Sequence, residues 1–77
     1  MRIRSIAEVY PQAPPDEALF DTCARACEEA GCSIEQTVRT LAFLIGSIIT
    51  GNDLAEAERE RLADLVAQDV AMILEVE

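Results

Sequence analysis

Apolar residues recur at helical spacing over most of the chain. From residue 16 onward, Leu19, Phe20, Cys23, Ala26, Cys27 and Ala30 fall on one side of a helix projected at about 100° per residue, with Asp21, Arg25, Glu28 and Glu29 pointing away. A second stripe, Ile34, Val38, Leu41, Ile45, Ile48 and Ile49, follows directly. A third, Leu54, Leu62, Leu65, Val66, Val70, Ile73 and Val76, runs nearly to the end. The punctuation agrees with three helices. Pro15, Asp16 and Glu17 suit a helix start over 15–30, and Gly31 suits its left-handed C-terminal residue. Ser33 and Gln36 form a capping-box pattern for a helix over 33–50, which Gly51 ends. Asp53 and Glu56 repeat that pattern for a helix over 53–76.

The first 14 residues read differently. Ile3, Ile6, Ala7 and Tyr10 have helical spacing, but Arg2, Ile3 and Arg4 alternate like a strand that has nothing to pair with. Pro11 forces Tyr10 out of the α region, and PQAPP, residues 11–15, reads as a stiff connector. Residues 1–14 are therefore expected to be an arm that packs on the helices or on a neighbour. The whole pattern predicts one all-α domain over 1–77, a three-helix antiparallel or orthogonal bundle with a short N-terminal arm.

Composition changes this picture in one respect. The chain has 77 residues, and 51% of them are hydrophobic. A chain of this size buries only about 60% of the surface it exposes when unfolded. It therefore carries more apolar material than it can readily enclose, and a second copy is the simplest cover, a dimer by preference. Phe43 sharpens the point. It projects about 180° from the Ile34–Leu41–Ile45 stripe, among Gln36, Arg39, Ser47 and Thr50, as an interface anchor would. Phe43, Leu44, Ser47 and Tyr10 are the candidate interface residues. Asp69 joins them, because it falls inside the apolar face of the third helix. A carboxylate there needs an arginine or a helix N-terminus, or it marks a polar point in an oligomer seam.

The net charge of −9 comes from fifteen acids against six arginines, with no lysine and no histidine. Two of those arginines, Arg2 and Arg4, lie in the first four residues. Such a surface repels phosphate backbones and anionic lipid and attracts basic protein surfaces. The row Asp53, Glu56, Glu60 and Asp64 on the outer face of the third helix is the candidate site for a basic partner. With Arg59 and Arg61 interleaved, the row reads first as an ordinary solvated face, and a basic-partner site or phosphate mimic is the alternative.

The three cysteines, Cys23, Cys27 and Cys32, form an odd cluster with no histidine to complete a metal site, and are expected to be small core residues in a reducing compartment. The first apolar run, broken by Arg4 and Glu8, does not read as a signal peptide, and the apolar stretch Leu41–Ile49 is short against the roughly 20 residues of a membrane span. A cytoplasmic protein with no membrane contact is expected.

One segment points elsewhere. Ala30–Gly31–Cys32–Ser33 followed by Thr37–Val38–Arg39 resembles the middle of a helix-turn-helix motif. The resemblance implies a DNA-binding regulator in which Thr37, Arg39 and Thr40 meet DNA and Arg2 and Arg4 reach phosphates. The spacing departs from it, since Thr37–Val38 comes one residue late, and Arg39 is the only cation on that helix. With no nucleophile–base pair, Gly-rich phosphate loop or cofactor motif, no catalytic residue, cofactor or metal is expected. The expected function is a small acidic interaction module, an adaptor, regulator or inhibitor that occupies a partner's surface. By analogy alone it suits the short antagonists carried by phages and mobile elements.

Overall fold

The computed structural model describes residues 1–6 and 16–75. Three helices follow one another: α1 (Glu17–Ala30), α2 (Ile34–Gly51) and α3 (Glu56–Glu75). No strand occurs among the described residues, so the chain is all-α. Tyr10, Pro15, Val76 and most of the arm lie outside the described residues.

Local chemistry sets the first two helices. Asp16 stands just before α1 in extended conformation, and its carboxylate accepts the Leu19 backbone N–H at 2.7 Å. This satisfies one of the amides that a helix start leaves unpaired. Asp16 is thus the cap and not a first-turn residue. The far end closes on Gly31, whose φ of 70° lies in the left-handed region that favours glycine. The expected capping box forms at α2. The Gln36 amide donates to Ser33 Oγ at 3.1 Å, and the Ser33 amide donates to Gln36 Oε1 at 3.0 Å.

The α2–α3 connection departs from the expected pattern. Gly51 is the last residue of α2 and not a left-handed stop. The Asn52 side-chain amide donates back to the Ile48 carbonyl at 2.6 Å, covering a C-terminal acceptor. The Leu54 amide then bonds the Asn52 carbonyl at 2.9 Å, a tight three-residue turn. That turn delays α3 to Glu56, and the first helical bond runs from Arg59 N–H to the Ala55 carbonyl. Ala55 occupies the cap position, where it offers no side-chain acceptor. Replacing Ala55 with Ser should therefore raise stability by about 1 kcal/mol, read as a higher urea midpoint with unchanged slope.

The chain divides into two compact units, Met1–Val38 and Arg39–Glu77, and the boundary falls within α2. In the first unit, residues 1–5 carry no regular structure. Ile3 and Ser5 lie beside α1, lining with Phe20, Asp21, Ala24, Arg25 and Glu28 an open depression of about 260 Å³. Ile6 is 8% exposed and Thr37 9%, the two buried residues among those described. The Thr37 hydroxyl donates to the Ser33 carbonyl at 2.8 Å, so its polar group enters the interior satisfied.

The covered face of α1 differs from the expected one. Phe20, Cys23, Ala24 and Cys27 are half-buried, whereas Leu19, Ala26 and Ala30 are exposed. In the second unit, Leu54, Leu62, Val66, Asp69 and Ile73 are half-buried along α3, and Leu41 and Ile49 along α2. These follow the anticipated stripes.

Candidate interaction surface

The apolar stripes are far less covered than a closed core requires. Leu19 is 64% exposed, Ile34 68% and Val38 61%. Pattern alone places Ile34 and Val38 in the core, yet they stand one turn apart on the open side of α2. Ile48, Leu65, Val70 and Leu74 are exposed as well. Burying an apolar side chain of this size is worth about 1.5–3 kcal/mol, so each exposed one represents stabilisation that a covering surface would supply.

Phe43 is the extreme case at 79% exposed. Leu44 and Ser47 beside it are exposed too, as are Arg39, Ala42, Gly46 and Thr50. A Cβ built on Gly46 meets nothing within 4 Å, so the space above that glycine is empty. The Thr50 hydroxyl donates to the Gly46 carbonyl at 2.8 Å, so that donor is met within the helix. No charged side chain occurs from Thr40 to Asn52. Together these residues make an uncharged strip along α2, with one aromatic projecting beside a notch. Phe43 shares the helix with the Leu41–Ile49 side but lies roughly opposite it, with Ala42 and Leu44 flanking.

Asp69 lies within the half-buried stripe of α3, between Leu62 and Leu65 in projection. The arginine or helix-terminus partner expected for it is not found among the described residues: the ion pair there joins Arg61 to Glu58. Half-burial leaves the carboxylate partly hydrated.

The acidic row is open along its length. Asp53, Glu56, Glu60 and Asp64 are all exposed. The two arginines interleaved with them in sequence are turned elsewhere. Arg61 forks onto Glu58, with Nε 3.0 Å from one carboxylate oxygen and the terminal nitrogen on the other. The Arg61 hydrogen bond holds the Glu58 carboxyl below its ordinary value of 4.5. That contribution is present above the ordinary carboxylate range and fades as pH falls through the lowered value. Arg59 is half-buried on the other side of α3, and its enclosed Nε has no hydrogen-bond acceptor.

The cysteines separate. Cys23 and Cys27 are half-buried on the covered face of α1, whereas Cys32 is exposed, its sulfur 3.9 Å from the Ala30 carbonyl. Cys32 is therefore not a core residue, because the left-handed Gly31 carries the chain outward before Ser33 restarts it. No group of three or more Cys, Asp or Glu among the described residues could hold a metal ion. No described helix is long and apolar enough to cross a membrane. The turn that resembles a helix-turn-helix is a tight helix-to-helix connection, but Thr37 within it is buried, while Arg39 and Thr40 are exposed.

Thr37 and Arg59 are polar residues that the pattern places outside the covered faces. Thr37 lies about 40° beyond Leu41 on the α2 projection, at the edge of the apolar stripe, and that position was the available signal for its burial.

No family model, curated protein or solved structure matches this chain.

Proposed function

We propose that the protein is a small acidic interaction module that works as a homodimer and acts by occupying another macromolecule's surface, as an adaptor, regulator or inhibitor. The observation that supports this reading is the exposure of large apolar side chains on two sides of α2, Phe43 on one and Ile34 with Val38 on the other. Exposed apolar groups at this density are a solubility liability on a lone chain and a contact area on an associating one. The outer strip around Phe43 is assigned to a second copy. The Ile34–Val38 side is assigned to a partner, and the open row Asp53, Glu56, Glu60 and Asp64 favours a basic one. Phosphate backbones and anionic membranes are disfavoured by the net charge of −9. A non-enzymatic, cytoplasmic role without a cofactor completes the proposal.

The test pairs two measurements. Affinity capture with the wild-type chain and with the Ile34→Ser, Val38→Ser double variant should yield a protein retained near one-to-one by the first and lost with the second. A mobility-shift titration with mixed-sequence duplex DNA should give no complex between about 50 and 200 mM salt. Tight DNA binding that weakens steeply over that range overturns the proposal in favour of the helix-turn-helix reading.

A further inference from the structure

The uncharged strip of α2 is bounded by one cation and one anion. Arg39 stands seven residues before Gly46, and Asp53 stands seven residues after it. Both are exposed, and neither enters an ion pair with a described residue. Arg39, Phe43, Gly46 and Thr50 are spaced 4, 3 and 4 along α2, the seam repeat of two packed helices, and Asp53 stands two residues beyond the helix end. All of them belong to the same compact unit, Arg39–Glu77.

From this placement we infer that α2 pairs with the α2 of a second copy, antiparallel, about a two-fold axis at Gly46, with Phe43 seated in the partner's Gly46–Thr50 notch and Arg39 at the partner's Asp53. The inference rests on the proposed dimer and specifies its register.

Three physical points select this occupant and orientation. The first is charge. Two copies that each carry −9 repel across most surfaces, but the strip from Thr40 to Asn52 brings no like charges together. Antiparallel pairing then sets each Arg39, about 10 Å along the axis from Gly46, at the level where the opposite copy's α2 ends and its Asp53 follows. Parallel pairing would oppose arginine to arginine and aspartate to aspartate. The second is shape. Gly46 and Ala42 allow the backbones to approach more closely than the usual 8–10 Å, and the empty space over Gly46 receives the ring that Phe43 holds out in water. The third is hydrogen bonding. The Thr50 hydroxyl is already committed to the Gly46 carbonyl, so closing the seam over Thr50 strands no donor there.

A charge swap read by sedimentation equilibrium tests the register. Arg39→Asp and Asp53→Arg should each weaken the dimer about tenfold, since each introduces two like-charge pairs of the size exposed ion pairs show. The double variant should return to within about twofold of wild type. Gly46→Leu provides a check that does not depend on surface charge. It has open space within one chain and raises helix propensity, so the helices should persist by circular dichroism while the dimer is lost. A dimer that tolerates Gly46→Leu, or a double swap no better than the singles, overturns the register. If Phe43→Asp still separates the copies in that case, the dimer stands with a different seam. A wild-type chain that is monomeric overturns the dimer itself.

Discussion

Replacing Phe43 with Asp should convert the proposed dimer to monomer and leave the helices intact. At 79% exposure the ring contributes almost nothing to the fold of the single chain, so its loss creates no cavity and breaks no packing there. Each ring buried in a seam contributes about 2 kcal/mol. Two are lost per dimer, and two carboxylates would enter the same apolar notch, so the dissociation constant should rise by roughly three orders of magnitude or more. Light scattering after gel filtration should show the mass halved, with far-ultraviolet circular dichroism at 222 nm essentially unchanged. Loss of helix signal at unchanged mass would place Phe43 in a monomer core instead.

Replacing Ile6 with Ala should be the most destabilising truncation in the first unit. Among the described residues of that unit, Ile6 is the apolar one that is almost fully enclosed, and Thr37 is the other buried side chain. Truncating a buried isoleucine to alanine costs about 2–5 kcal/mol. The total stability of a chain of this length is on the order of 4–12 kcal/mol, so the loss is a large fraction of it. Urea unfolding should show a clearly lower midpoint. Leu19→Ala, at an isomeric but exposed residue of the same unit, should lower stability by less than about 0.5 kcal/mol. Equal effects at the two positions would mean that Ile6 does not hold the arm to the fold.

The contrast between these positions shows what the residue pattern could convey. Helix identity was legible because its determinants are local. Asp16 before α1, the left-handed Gly31, and the Ser33–Gln36 exchange each act within one helical turn. The start of α3 was not, because Asn52 bonds backward to Ile48 and the turn at Leu54 uses up two residues that look like a cap and first turn. Which side of a helix is covered was legible only in part. On α1, periodicity groups Leu19 with Phe20, yet α1 is covered along Phe20, Cys23, Ala24 and Cys27 and leaves Leu19 in solvent. Polar and charged residues mislead in both directions. Thr37 is buried because its hydroxyl finds the Ser33 carbonyl one turn back, and Arg59 turns its stem toward the half-buried side of α3 while its neighbours in the acidic row face water.

The candidate surface was legible where geometry alone decides. A projection of α2 places Phe43 opposite the apolar stripe, and the side chain stands exposed there with Leu44 and Ser47. The exposure of Ile34 and Val38 could not be read the same way. Their spacing is that of core residues, and only the arrangement around the start of α2 leaves them open.

Sedimentation equilibrium of the unaltered 8.4 kDa chain over about 1–100 µM tests the central claim most directly. The exposed strip on α2 predicts a single species of twice the chain mass at the upper end of that range, dissociating on dilution. A chain that stays at 8.4 kDa throughout, with Phe43 still in water, would contradict it.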